Sequence, residues 1–271
     1  MKIGSCAPIA EIKALAEMGF DYIETNFSRI ARMTDEEFEE AKKDVLESGI
    51  KIEACNGFFH SKFVLYAFDP ETGEGTDGFA EIEKNVYDYV KLGFERVSQL
   101  GTEVVVIGSS FARSIPEGMK PEVAEKQFSR VLEICADAAA EYGIKVTVEP
   151  LNPLETNFIN TLSDSLDLID KIDHPNLLAM NDFYHSLIQN EPLSTLDRAG
   201  ERLVHIHICR ADRYNCTMKD KDDMLPLVQY LADMGYEGRL SFEGKTEGDR
   251  LEAIKNTYEL MKLFRDVKSN K

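Results

Sequence analysis

The sequence predicts an α/β protein built as a (β/α)8 TIM barrel, with a single domain over residues 1–271. Strand-like and helix-like segments alternate along the whole chain. Several helices end in glycine just before the next strand, as in LAEMGF, LESGIK and SQLGTE, where glycine can take the left-handed conformation that stops a helix. No low-complexity segment or linker interrupts the series, so no domain boundary is indicated.

Eight strands are predicted, in the order KIGSC, DYIETN, KIEACNGF, EVVVIGSS, KVTVEPL, NLLAMND, LVHIHIC and RLSFEGK. The predicted helices cover about 8–19, 34–49, 78–101 and 121–143, and the last four begin near Ser163, Pro192, Asp223 and Asp249. Segments such as MTDEEFEE begin a helix with acceptors for its free amide groups. Longer loops at about 59–77 and 111–120 follow the third and fourth strands and could cover a substrate.

A doubly wound open sheet is the alternative fold. It normally needs fewer strand–helix units, and the Gly-rich phosphate loop that usually follows its first strand is absent here. The barrel is therefore the predicted architecture.

Composition and charge predict a cytoplasmic enzyme. The net charge is −18, which disfavours nucleic acid and anionic membranes as partners. The five cysteines are scattered, without a CxxC motif, which predicts free thiols in a reducing compartment, although Cys209 and Cys216 could approach each other. The segment MKIGSCAPIAEI lacks the apolar core of a signal peptide, and no run of 18 apolar residues predicts a membrane span.

Four consecutive strands in the second half end in a residue that binds hard metal ions. They are Glu149, Asp182, His207 and Glu243. In a parallel barrel the carboxyl ends of the strands meet at one open face, so these side chains are expected to surround one divalent ion. Carboxylates with a single imidazole suit Mn²⁺, Mg²⁺ or Co²⁺ better than a structural zinc site.

The other histidines have less specific signals. His205 faces the same side of its strand as His207, where it either supports the metal ligand or is a satisfied core residue. His185 follows Asp182 by three residues and could donate to a substrate oxygen, whereas His60 could reach the site from the loop after the third strand. His174 lies at the opposite end of the barrel and is assigned no role.

At these residues the chain resembles the xylose isomerase-like TIM barrel superfamily (the sugar phosphate isomerase/epimerase family) over residues 2–266. Within it, the pattern is similar to that of the metal-dependent ketose 3-epimerases, of the D-tagatose 3-epimerase type. The motifs that carry the resemblance are EPLNPLE with Glu149 and Glu155, DFYH with Asp182 and His185, HIHICRADR with His207 and Arg213, and SFEG with Glu243.

The resemblance implies a role for each matched residue. The metal ligands would be Glu149, Asp182, His207 and Glu243. Glu149 and Glu243 would also be the catalytic acid/base pair. The substrate would be anchored by Glu155, His185 and Arg213, and His60 is added as a candidate from the loop. The expected cofactor is one divalent ion, Mn²⁺ first, with Co²⁺, Mg²⁺ or Zn²⁺ as alternatives.

The implied activity is that of a sugar or polyol isomerase or epimerase. One carboxylate removes a proton next to a carbonyl, a metal-stabilised enediolate forms, and a second carboxylate returns a proton. The main alternative is a metal-dependent lyase or dehydratase, either inosose dehydratase-like or cleaving a C-glycoside. An endonuclease IV-like AP endonuclease is a remote alternative, and a barrel that binds a sugar or partner protein without turnover is a further one.

The chain departs from the epimerase pattern in two ways. It has no tryptophan, which those enzymes often place over the sugar, so Phe58, Phe59, Phe111 or Phe183 would have to replace it. Cys209 and Arg210 stand where glycine and an acidic residue are common, and Arg210 could bind a substrate carboxylate or phosphate or simply face solvent. The expected partner is a small sugar or polyol, and the expected assembly is a homodimer or homotetramer.

Overall fold

The computed structural model describes residues 1–271 and contains a closed barrel of eight parallel strands in sequence order. The strands are β1 Lys2–Cys6, β2 Tyr22–Asn26, β3 Lys51–Asn56, β4 Val104–Ile107, β5 Lys145–Val148, β6 Leu177–Asp182, β7 Leu203–Ile208 and β8 Arg239–Phe242. Because β1 pairs with both β2 and β8, the sheet has no free edge. The predicted (β/α)8 barrel is confirmed.

Eleven α-helices follow the strands. They are α1 Ile12–Met18, α2 Phe27–Ala31, α3 Asp35–Ser48, α4 Phe79–Gln99, α5 Ser110–Arg113, α6 Pro121–Ala140, α7 Leu162–Ile172, α8 Phe183–Gln189, α9 Thr195–Ala199, α10 Lys221–Asp233 and α11 Arg250–Phe264. Gly19 and Gly49 end α1 and α3 with φ of 100° and 78°, as expected for left-handed caps. None of the helices combines the length and the hydropathy that a membrane span requires.

The structure has one more helix after β6 than the sequence predicts. The helix predicted to begin near Pro192 corresponds to α9, which begins at Thr195, and the additional helix α8 begins at Phe183, directly after the strand. The side chain of Asp182 accepts a hydrogen bond from the Tyr184 backbone N–H at 2.8 Å, which satisfies a free amide of the first turn. The short helix α2 also follows its strand directly, two residues separate α5 from β4, and neither helix was predicted.

The barrel interior contains an unusual number of polar side chains. Tyr22, Glu24, His205 and Ser241 are fully buried there, whereas branched apolar residues normally fill such barrels. At the amino-terminal end, Glu53 accepts from Arg239 at 2.8 Å and from Lys2 at 2.7 Å. Charged pairs therefore close the bottom of the barrel, and the upper polar residues lie beneath the strand ends.

Candidate active site

The carboxyl ends of β5 to β8 bring four side chains together. One ligand atom from each of Glu149, Asp182, His207 and Glu243 lies within 4.8 Å of the others. His207 Nδ1 is 3.2 Å from Glu149 Oε1 and 3.2 Å from Glu243 Oε2. The four predicted metal ligands therefore converge, although their role as ligands stays a prediction.

Burial and mutual repulsion make this cluster electrostatically costly without a cation. Burial, followed by the charge of Glu243, raises the pKa of Glu149, and burial with Glu149 raises that of Asp182 well above its usual value. Burial alone would lower the pKa of His207, but the carboxylates of Glu24 and Glu243 raise it well above its ordinary value. Burial and like charge thus disfavour the ionised forms of Glu149 and Asp182, which a divalent cation would favour.

The donor set fits a divalent cation. Three carboxylates and one imidazole are ligands that Mn²⁺, Co²⁺ and Mg²⁺ accept. The space for the Glu149 carboxylate depends on Gly108, which follows β4: a β-carbon there would lie 2.0 Å from Glu149 Oε2. Asp182 uses Oδ1 to cap α8, and its Oδ2 lies 3.6 Å from His185 Nε2.

Glu24, on β2, is a buried carboxylate that the sequence predictions missed. Its Oε1 is 3.0 Å from His207 Nε2, and its Oε2 is 2.8 Å from His205 Nε2. Both histidines are also fully buried. His205 is therefore buried in the core and also bound to the carboxylate that contacts His207. The two predicted alternatives for His205, a core residue and a support for His207, are compatible.

Asn56, the last residue of β3, is a second residue that the predictions missed. Its Nδ2 donates to Glu243 Oε1 at 2.6 Å and lies 3.3 Å from the Cys6 sulfur. One oxygen of Glu243 is therefore held by an amide, while the other faces His207. This contact fixes the orientation of the carboxylate.

His185 is buried and held by its neighbour Asn152. The Asn152 backbone N–H donates to His185 Nδ1 at 3.1 Å, and the Asn152 side-chain nitrogen lies 2.7 Å from the same atom. Nδ1 is thus an acceptor, and the ring proton is on Nε2. Burial lowers the pKa of His185 to about 3, so the ring is neutral, and its buried Nε2 has no hydrogen-bond partner.

Arg213 and Glu155 form an ion pair beside the cluster. The guanidinium carbon of Arg213 lies 4.8 Å from the centre of the Tyr184 ring, and Tyr184 in turn packs against His185. The backbone of Arg213 has a φ of 65°, in the left-handed region that favours glycine. Strained backbone of this kind is often found at functional sites.

The comparison with known families agrees with this geometry. Residues 12–266 match the family described as xylose isomerase-like TIM barrel. The chain belongs to this family.

Two of the curated proteins that resemble the chain are named as sugar epimerases. 3-Dehydro-D-guloside 4-epimerase of Escherichia coli (strain K12) is 25% identical over 249 residues, which cover 89% of this chain and 88% of that protein. D-psicose 3-epimerase of Ruminiclostridium cellulolyticum is 25% identical over 238 residues, which cover 86% of this chain and 76% of that protein. These names support the prediction of an isomerase-type enzyme.

Solved structures show the same fold. A crystal structure of D-psicose 3-epimerase in the presence of D-fructose superposes with a TM-score of 0.81 and 19% identity, covering 98% of this chain and 99% of that chain. The predicted resemblance to the xylose isomerase-like barrels, and within them to ketose 3-epimerases, is confirmed.

Three further residues have contacts outside the cluster of this xylose isomerase-like barrel. His60 accepts from the Lys62 backbone N–H at 3.3 Å and packs against Phe63, and its role in substrate binding stays a prediction. His174 Nε2 lies 3.1 Å from Asp137, away from the site. Arg210 does not face solvent freely, because its guanidinium pairs with Asp212 at 2.5 Å.

The four candidate phenylalanines differ in exposure. Phe58, Phe59 and Phe183 are buried, and Phe58 stacks on Phe27 with ring centroids 4.2 Å apart. Phe111 on α5 is 85% exposed.

Two signals in the sequence could have revealed the missed residues. Glu24 stands inside YIETN, where a charged residue on the same face as Tyr22 is unexpected in a buried strand. Asn56 ends its strand as the four predicted ligands do, and Asn152 lies inside EPLNPLE. Their partners are far away in the sequence, so the contacts themselves were not predictable.

Proposed function

We propose that this protein is a divalent-metal-dependent sugar epimerase or isomerase that acts on an uncharged ketose. The observation that carries the proposal is the pair of carboxylates, Glu149 and Glu243, each 3.2 Å from His207 Nδ1 at the carboxyl ends of the strands. Proton removal and return next to a carbonyl needs two groups of this kind within reach of one carbon. The family membership and the named relatives support the same reaction class.

The metal would be held by Glu149, Asp182, His207 and Glu243, and Mn²⁺ is the ion we propose. When bound, a divalent cation supplies positive charge that lowers the energy of an enediolate. Burial raises the pKa of Glu149 and Asp182, and a bound cation would favour their ionised forms, which can accept a proton.

The protein itself supplies orientation and proton transfer. We assign proton abstraction and return to Glu149 and Glu243, one from each side of the substrate. His185 is neutral and has a free Nε2–H, so it donates to a substrate oxygen while Asn152 prevents its ring from turning. Glu155 and Arg213 bind hydroxyl groups, because a carboxylate accepts and a guanidinium donates.

The charges around the mouth favour a neutral sugar. Arg213 is paired with Glu155, and Arg210 is paired with Asp212, with Asp220 and Glu247 each 3.9 Å away. Arg113 is fully buried and donates to the backbone carbonyls of Glu149 and Ile159. With each of these cations already neutralised or enclosed, a phosphate or carboxylate on the substrate would meet a net negative site.

The test is an epimerisation and isomerisation assay of the Mn²⁺-loaded protein. Free ketopentoses and ketohexoses are compared with their phosphates and with hydroxypyruvate, and products are separated by chromatography. We expect turnover of one or more free ketoses and none of the charged compounds. Turnover of a sugar phosphate alone would contradict the proposed substrate class, and absence of turnover on every compound by a metal-loaded protein would contradict the proposed reaction.

A further inference from the structure

A buried carboxylate bridges two histidines across the barrel interior. Glu24 comes from β2, whereas His205 and His207 come from β7, 181 and 183 residues further along the chain. All three side chains are fully buried. Each oxygen of the carboxylate has one imidazole nitrogen as its partner, at 2.8 Å for His205 and 3.0 Å for His207.

This arrangement decides which nitrogen of His207 faces the cluster. An ionised carboxylate only accepts hydrogen bonds, so Nε2 of His207 must carry a proton to bind Glu24. The remaining nitrogen, Nδ1, is then the one that lies 3.2 Å from both Glu149 and Glu243. We propose that Glu24, clamped by His205, is a positioning residue that fixes the ring and tautomer of His207 so that Nδ1 binds the metal.

His205 holds the carboxylate in this orientation. Its ring lies 4.8 Å from that of His207, at an interplanar angle of 83°, so the two imidazoles approach Glu24 from different directions. With one oxygen held by each ring, the carboxylate cannot rotate without losing a buried hydrogen bond. Tyr22 and Ser241, joined at 2.8 Å below, complete the buried polar layers.

A purely structural role does not account for this group. A charged residue in a barrel interior loses its hydration, and apolar residues of similar volume are often as stabilising or more so. Glu24 has no arginine or lysine partner that would repay this cost. Carboxylates that accept from the outer nitrogen of a metal-bound histidine orient the ligand and raise its basicity, and their loss typically weakens metal binding about 10- to 100-fold.

The inference rests on the proposed metal site, so the test measures metal binding rather than turnover. Glu24→Gln keeps the shape, but its amide can satisfy only one imidazole with an oxygen. We expect its Mn²⁺ dissociation constant, measured from the EPR signal of free Mn²⁺, to rise about 10- to 100-fold. Glu53→Gln is the matched control, because Glu53 is also buried inside the barrel but lies at the opposite end, bound to Arg239.

A spectroscopic measurement separates positioning from a general loss of stability. In wild-type protein labelled with ¹⁵N-histidine and loaded with Zn²⁺, His207 should show a protonated Nε2 and a metal-bound Nδ1. In Glu24→Gln this signature should be lost or mixed, whereas Glu53→Gln should retain it and the wild-type Mn²⁺ affinity. If Glu24→Gln does not fold, His205→Gln is tested in its place, and we expect its Mn²⁺ dissociation constant to rise about 10-fold.

Three results would overturn the inference. Wild-type affinity in Glu24→Gln, or in His205→Gln where the first variant is unfolded, would make Glu24 a core residue only. An equal loss of affinity in Glu53→Gln would show that any buried change disturbs the site. If wild type binds neither Mn²⁺ nor Zn²⁺, the proposed metal site fails as well, which distinguishes that failure from the first two.

Discussion

Gly108 lies directly against the carboxylate of Glu149. A β-carbon at position 108 would be 2.0 Å from Glu149 Oε2 and 3.2 Å from the carboxyl carbon. Glu149 is itself 6% exposed and its backbone carbonyl accepts from Arg113 at 2.5 Å, so it has little room to move away. The end of β4 therefore contributes space to the site, where the ends of β5 to β8 contribute side chains.

Gly108→Ala should displace the Glu149 carboxylate and weaken Mn²⁺ binding by about 10-fold or more, because one of the four proposed metal ligands would leave its position. Isothermal titration calorimetry with Mn²⁺ measures this. Gly78→Ala is the control, since a β-carbon there meets only ordinary contacts at 3.5 and 3.6 Å. Equal affinity in Gly108→Ala and wild type would show that Glu149 is not held where the structure has it.

Asn56→Ala should lower kcat about 10- to 100-fold, because Glu243 loses the amide that holds Oε1 at 2.6 Å and a hydrogen bond to a charged group contributes about 1.5–3 kcal/mol. Steady-state kinetics at saturating Mn²⁺ is the measurement. Asn56→Asp should be worse, since it places a like charge beside Glu243. A wild-type kcat in Asn56→Ala would show that Asn56 does not contribute to catalysis.

Substitutions of Arg213 should separate backbone strain from substrate binding. Arg213→Ala and Arg213→Asn both remove the guanidinium, so both should raise KM more than they reduce metal occupancy. Asparagine tolerates a φ of 65° better than alanine, so Arg213→Asn should be more stable than Arg213→Ala by about 1 kcal/mol. Urea unfolding and metal analysis test both parts. Loss of metal with an unchanged KM would contradict the assigned role.

His185 should make the stability of the metal-free protein fall in acid. Its pKa is lowered to about 3 in the folded protein, against 6.5 for an unperturbed histidine, so the unfolded state binds more protons between these values. The contribution of neutral His185 to the free energy of unfolding is fully present above pH 6.5 and decreases by about 2 kcal/mol between pH 7 and pH 5. His185→Asn, which keeps an acceptor for Asn152, should remove this part of the slope in urea unfolding. An identical pH slope in both proteins would show that His185 is not neutral when folded.

The sequence predicts the barrel well because each strand and each of the longer helices has a local signal. The same is true of Glu149, Asp182, His207 and Glu243, since the end of a strand is readable and the fold brings strand ends together. The helix at Phe183 was missed because its cap, Asp182, was read only as a metal ligand. An acidic residue after a strand fits both roles, and here the structure gives each carboxylate oxygen a different neighbour.

The residues that hold the proposed metal ligands in place were less predictable. Glu24 contacts residues more than 180 positions away, and Asn56 contacts Glu243 across 187 positions. Such contacts depend on which strands face each other across the barrel and on small register shifts, such as the one between Ile23 and Glu24 in the pairing of β2 with β3. Neither is encoded in a local pattern.

The most direct test of the central claim is solvent deuterium uptake. The Mn²⁺-loaded protein is incubated in D₂O with free ketoses, and carbon-bound deuterium is read by NMR. We expect uptake on the carbon next to the carbonyl, and its loss in Glu149→Gln and Glu243→Gln, because these carboxylates exchange the proton with solvent. Uptake that persists in both variants, or none with any ketose in wild type with metal bound, would contradict proton transfer by this pair.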